Sequence, residues 1–312
     1  MMSDTVLSRR RLVQGMGFTA VAVAGMSFAA EPSERKLHLA GNQYPWLTYY
    51  GRENRDFNAD LDASFADIAV SGLDGLEPLV GSLAQVRQYA PLLGKHGVQM
   101  RSFYVNSTLH DPAALDKSIA DVLAIAEAAE KIGTKIVVVN PSPIQWGGPQ
   151  NKDDAQLRFQ AKSLDTLGGK LRATGLTLSY HFHDIELRNA AREFHHMMVG
   201  TDPDNVTLCF DAHWVYRGSG NSEVAVFDIL ELYGRRITEL HLRQSKDGVW
   251  TEAFGPGDIN YERLAEHLRK IKVKPHVVLE QAVEAGTPRT MSAVESHRRS
   301  CDYARRVFGA FA

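Results

Sequence analysis

The stretch Ser179-Tyr180-His181-Phe182-His183-Asp184-Ile185-Glu186 sets two imidazoles one residue apart, with two carboxylates just behind them. It closes an apolar run that reads as a β-strand, whose side chains alternate between faces. His181 and His183 therefore point the same way as Thr177 and Ser179, while Leu176, Leu178, Tyr180 and Phe182 share the other face. Imidazoles and carboxylates gathered like this either bind a metal ion or move protons. Similar groups close other apolar runs: Glu77, Asn140, Asp211 with His213, His241 with Arg243, and Glu280.

Strand-like and helix-like patterns alternate along the whole chain, and they must position these groups. Strands are predicted at Leu37–Gln43, Gly75–Pro78, Val98–Tyr104, Lys135–Asn140, Leu176–His181, Val206–Phe210, Ile237–His241 and His276–Glu280. Helical periodicity separates them at Leu61–Val70, Leu83–Leu93, Pro112–Ile132, Asp153–Ala173, Ala190–Met198, Val224–Tyr233 and Tyr261–Ile271, with a last helix at Met291–Val307. Asp111 is the expected cap of the Pro112 helix and Gly133 its stop. Eight strand–helix units without a linker predict a (β/α)8 TIM barrel over residues 31–312.

In such a barrel chemistry sits at the C-terminal strand ends. Strand six alternates Val206, Leu208 and Phe210 against Thr207, Cys209, Asp211 and His213, so the latter set faces the interior. His241 shares a face with Arg243, and Val278 with Glu280. Taken singly, Asp211 reads equally well as a helix cap, His241 as a core histidine and His213 as a pocket wall. Glu280 ends a Val-Val-Leu run, where an unpaired buried carboxylate would be costly. Four consecutive strands delivering N and O donors to one mouth point to a shared site for one divalent metal, Mn, Zn, Co or Fe rather than Ca.

These motifs resemble the sugar phosphate isomerase/epimerase family, which has a xylose isomerase-like TIM barrel. Tyr180-His181-Phe182-His183-Asp184-Ile185-Glu186 is similar to its Tyr-His-Asn-His-Asp-x-Glu signature, and Phe210-Asp211-Ala212-His213-Trp214 to its Asp-x-x-Trp motif. The His241–Asp247 segment with Phe254–Ile259, and Val278-Leu279-Glu280, resemble its last two strand ends. The resemblance implies metal ligands at His181 or His183, Asp211, His241 and Glu280. The family's usual fifth-strand ligand is Glu, so the His pair leaves open which imidazole ligates; His183, nearer the strand end, is preferred. It also implies proton removal beside a carbonyl, with the metal as Lewis acid and Glu280, His181 and His183 carrying protons. Glu77, Asn140, Glu186, His213, Trp214 and Arg243 would line the sugar pocket.

The N-terminus carries Ser8-Arg9-Arg10-Arg11-Leu12-Val13, an apolar run from Met16 to Ala29 and the small residues Ser27–Ala30. This resembles a twin-arginine export signal over residues 1–30, which makes the export machinery a partner and the periplasm the destination. The apolar run is short for a membrane span. Export shifts the expected substrate from a sugar phosphate to an unphosphorylated sugar, a cyclitol of the inosose type or a 3-keto-glycoside. An isomerase or epimerase and a lyase or hydratase then differ only in what leaves. A non-catalytic sugar binder is the reading from another class, and a homo-oligomer is allowed.

Several classes are disfavoured. A formal net charge of -2 with interspersed acids and bases argues against nucleic acid as partner, and with it a phosphodiesterase on the same barrel. No Gly-x-Gly-x-x-Gly follows the first strand and no P-loop occurs, so no nucleotide cofactor is expected. Two cysteines, Cys209 and Cys301, make neither a disulfide framework nor a Cys-rich zinc site.

Overall fold

Asn42 ends the first strand, and its side chain accepts from the backbone N–H of Tyr44, so strand β1 (Leu39–Asn42) passes directly into helix α1 (Gln43–Arg52). The computed structural model describes residues 36–312, so the expected export signal lies outside the described residues. From β1 the chain alternates: α2 (Leu61–Val70), β2 (Gly75–Glu77), α3 (Leu83–His96), β3 (Ser102–Ser107), α4 (Leu115–Glu130) and β4 (Ile136–Pro141). It continues through α5 (Asp154–Ala173), β5 (Thr177–Tyr180), α6 (Arg188–Val199), β6 (Val206–Asp211), α7 (Ala212–Gly218) and α8 (Glu223–Tyr233). The last elements are β7 (Ile237–Leu242), a short hairpin pairing Ser245–Lys246 with Val249–Trp250, α9 (Tyr261–Lys270), β8 (His276–Leu279) and α10 (Ala293–Phe308). Among the described residues no helix is long and apolar enough to cross a membrane.

The eight strands are parallel, in the order β2-β1-β8-β7-β6-β5-β4-β3. Between β2 and β3 the ladder reduces to isolated bridges, Gly75 with Gln99 and Leu79 with Tyr104. Backbone bonds from Leu76 N to Gln99 O (2.9 Å) and Val80 N to Tyr104 O (2.8 Å) close the ring there. The expected (β/α)8 barrel is thus the observed architecture.

Outward-facing strand residues such as Phe103, Val137, Val139, Leu178, Tyr180, Leu240 and Leu279 pack against the helices in one large core. Each such side chain contributes roughly 1.5–3 kcal/mol on burial. The inward apolar cluster is small, Tyr104, Val138 and Cys209. Val278, on the face shared with Glu280, and the partly buried Leu79 and Ile136 add to it, and toward the mouth the interior turns polar.

Boundaries moved at particular places. The third strand begins at Ser102 rather than Val98 and runs to Ser107, because Asn106 and Ser107 pair with Asn140 and Pro141. Asp111 does not cap the α4 helix: its Oδ1 accepts from Ala113 N (2.9 Å) in a turn that delays the helix to Leu115. Gly133, at φ +102°, stops that region as expected. Asp153 caps α5 in a reciprocal box with Gln156.

Candidate active site

Parallel register brings the polar strand ends level. Asp211 on β6 pairs with His241 on β7, and His241 with Val278 on β8, two residues before Glu280. On β5 the last rung is the bond from His181 N to Val139 O (2.9 Å), which holds His181 on the ladder after the strand proper ends. His181, Asp211, His241 and Glu280 thereby offer one ligand atom each, all within 4.8 Å of one another and all buried.

His183 stands just outside this group. Its backbone N–H donates to Glu186 Oε2 (2.7 Å), so the chain has already turned off the sheet. Its ring remains close, 4.9 Å from that of His181 and 5.1 Å from that of Trp214. The sequence reading favoured His183 as the fifth-strand ligand, whereas the structure draws His181 into the donor group. His183 Nδ1 is buried without a partner.

His241 links two tiers of the interior. Its Nδ1 is 2.9 Å from Glu280 Oε2 at the mouth. Below, Nε2 lies 3.1 Å from Glu77 Oε1 and 3.3 Å from Glu239 Oε1. Asn42 Nδ2 donates to Glu77 Oε1, and Ser102 Oγ donates to Oε2 at 3.2 Å. Glu77 is therefore a support beneath His241 rather than part of the mouth. Glu239 was not singled out from sequence, although the alternation Glu239-x-His241-x-Arg243 carried the signal. A carboxylate behind an imidazole fixes its tautomer and aims its other nitrogen.

Burial and neighbouring charge set the protonation states. Burial, reinforced by the charge on His241, drives His181 well below the ordinary imidazole range, and burial brings His183 to about 4 and His213 to about 2. All three are neutral near pH 7, the form that can ligate a metal. Burial works against charge on His241, but Cys209, Glu77 and Glu280 outweigh it and raise its pKa. For Glu280, burial is opposed by Arg243 and then His241, which hold the carboxylate at about 2. Burial raises Asp211 to about 7 and Glu186 to about 7, the latter with help from Glu193.

Arg243 is fully buried between Trp214 and Trp250, its guanidinium carbon 4.8 and 4.4 Å from their ring centres. Its Nε donates to Glu280 O (3.0 Å), and NH2 is 2.8 Å from Glu280 Oε1 and 4.0 Å from Asp211 Oδ2. NH1 has no partner, nor does either ring nitrogen of His213. Asn140 is buried at the end of β4 and lies outside the donor group. Tyr104, not singled out from sequence, packs edge-on against His181 with ring centres 5.2 Å apart.

The donor set fits a divalent first-row metal. Both ring nitrogens of His181 and Asp211 Oδ2 are buried with no hydrogen-bond partner, an expensive arrangement that a cation would relieve. Two imidazole nitrogens and two carboxylate oxygens suit such an ion. His241 would bind through Nδ1 with Glu77 and Glu239 behind its other nitrogen.

The profile described as the xylose isomerase-like TIM barrel matches residues 65–305. An inosose dehydratase of Geobacillus kaustophilus (strain HTA426) is 24% identical over 168 residues, 50% of this chain and 53% of that protein, so the chain spans about half the length of that relative. Among solved structures, a sugar phosphate isomerase/epimerase from Parabacteroides distasonis ATCC 8503 superposes with a TM-score of 0.68 at 16% identity, covering 91% of this chain and 98% of its own. The 3-keto-D-glucoside 4-epimerase of E. coli gives 0.65 at 17% identity, covering 87% and 100%. These structural likenesses are of fold, while the profile spans most of the chain. The protein therefore belongs to the xylose isomerase-like TIM-barrel family.

Proposed function

We propose that this protein is a metal-dependent sugar isomerase or epimerase that removes a proton from carbon beside a carbonyl. The observation that carries the reading is the convergence of His181, Asp211, His241 and Glu280, with His181 and Asp211 Oδ2 left unpartnered. A divalent ion bound there supplies a Lewis acid for a sugar oxygen. Arg243 NH1 is a free, permanently charged donor beside that position and suits an oxygen that gains negative charge. His183, outside the donor group with Nδ1 free, is the imidazole available to carry a proton. Glu280 is the carboxylate that shares this work, and the sandwich of Trp214, Arg243 and Trp250 limits water in the mouth.

A second reading, loss of water or an aglycone at the same site, is supported by the similarity to an inosose dehydratase. An unphosphorylated or keto sugar or cyclitol serves both readings. The experiment incubates Mn²⁺- or Zn²⁺-loaded protein with ketoses, inososes and 3-keto-glycosides in D₂O. Deuterium beside the carbonyl with no group lost supports the isomerase, and release of water or an aglycone supports the lyase. Neither outcome with a sugar that binds leaves only a binder. Export to the periplasm rests on the Arg9-Arg10-Arg11 pattern; a reporter fused to residues 1–35 should lose export when Arg9 and Arg10 are changed to Lys.

A further inference from the structure

Among the described residues eight large hydrophobic side chains are exposed, and four of them, Tyr44, Ile144, Trp146 and Val249, stand on segments that follow β1, β4 and β7 at the barrel mouth. Trp146 is the largest and is 52% exposed. It lies on the connection between β4 and α5, with its ring centre 5.2 Å from that of His183 and the planes at 89°. His183 thus sits between Trp146 and Trp214.

The connection is firmly held. Arg188 donates to Gly148 O (2.8 Å) and Arg192 to Lys152 O (2.5 Å). Lys152, only 2% exposed, pairs with Glu193 at 2.6 Å, and Gln160 donates to the same carboxylate oxygen at 2.8 Å. Gly147 takes the left-handed conformation, φ +70°, that turns the chain beside the indole. A loop anchored through a buried ion pair, with a half-exposed indole at its tip, holds that indole in place before any ligand arrives.

We propose that Trp146 is the platform of a second subsite, which takes a second ring carried on the glycosidic oxygen of the sugar held in the mouth. This rests on the reading of that mouth as a sugar site. The polar floor of His181, Asp211 and Arg243 suits hydroxyl and carbonyl oxygens, and the apolar rim suits a ring face. Aromatic rings and the C–H faces of sugars both stack on indole. The substrate class is therefore a glycoside, with either an aromatic aglycone or a second sugar as the ring.

The test is calorimetric binding of phenyl and methyl β-D-glucopyranoside and cellobiose, with the galactose counterparts, to the full chain. A stacked ring should make the phenyl glycoside or the disaccharide bind about tenfold more tightly than the methyl glycoside. Trp146→Ala should bring that ratio to within about twofold of unity, and Trp146→Phe should restore part of it. Preference for phenyl alone identifies an aromatic aglycone, and preference for both rings a platform indifferent to ring type. No binding by any ringed glycoside, equal affinities in the wild type, or a ratio that survives Trp146→Ala overturns the proposal. Deuterium exchange by the metal-loaded protein on the 3-keto forms of these glycosides, which carry the carbonyl that the proton abstraction needs, separates the two ideas. A Trp146-dependent ratio without exchange sinks the catalytic reading alone; exchange with a ratio indifferent to Trp146 sinks the subsite alone.

Discussion

Asp211 holds two jobs on separate oxygens, and one substitution can part them. Its Oδ1 caps α7 by accepting from His213 N (2.8 Å) and Trp214 N (2.9 Å), while Oδ2 faces the donor group with no partner. Asn can keep the cap, since it caps helices as well as Asp, but it cannot supply an anionic ligand. Burial holds the Asp211 pKa at about 7 against an ordinary 3.8. At about 1.36 kcal/mol per pH unit, ionising it in the metal-free protein costs up to about 4 kcal/mol of stability above pH 7. Metal-free Asp211→Asn should therefore melt at or above the wild type at pH 8. Asp211→Ala should fall below Asn by about 1 kcal/mol, the value of the lost cap. Metal reverses the order. At about a hundred times its Kd a ligand adds about 2.7 kcal/mol, and losing a ligand should weaken binding by about a hundredfold or more, since even outer supports of a metal ligand are worth 10–100-fold. The stabilisation by Mn²⁺ or Zn²⁺ in thermal melts should then largely vanish in Asp211→Asn. A variant stabilised by metal as much as the wild type, or one that melts with Asp211→Ala when metal-free, refutes the division of labour.

The Lys152–Glu193 pair offers a test of stability, because Lys152→Met leaves Glu193 with Gln160 as its remaining side-chain donor. A loss of about 3 kcal/mol in denaturant unfolding is expected, with much of it regained in Lys152→Met/Glu193→Gln; a double variant no better than the single one contradicts this. Glu186 gives a pH test, its pKa being raised from 4.5 to about 7 by burial and then by Glu193. A raised carboxyl pKa adds stability that is fully present below pH 4.5 and lost as pH climbs through about 7. Measured by denaturation at pH 4.5, 6 and 7.5, wild type minus Glu186→Gln should shrink by about 3 kcal/mol; a constant difference would count against a carboxyl raised by burial.

Much of the barrel was legible because its two signals are geometric. Alternation along a strand and position at a strand end place Asp211, His241, Arg243 and Glu280 without any knowledge of partners. The same rule failed to choose between His181 and His183, since both obey it. The two part where β5 leaves the ladder: His181 N still reaches Val139 O, and His183 N reaches Glu186 instead. Glu239 was readable two residues before His241 and needed only the alternation carried one step deeper. Lys152 and Glu193 were not readable, because 41 residues separate them and their pairing depends on how α5 packs on α6. Trp146 in a loop has no periodicity to reveal it.

The order of the strands carries a mechanical consequence. The four strands that lead into the donors, β5 to β8, occupy the middle of the continuous ladder, and β2 and β3 are its two ends. The weakest joint of the ring therefore lies across the barrel from the donors, and breathing there need not spread the ligand atoms apart. Glu77 is the exception, because it rides on the end strand β2 yet reaches His241. An opening of that joint would reach His241 only through Glu77, and solvent exchange of the Leu76 and Val80 amides, which bond across the seam, would report how often it opens.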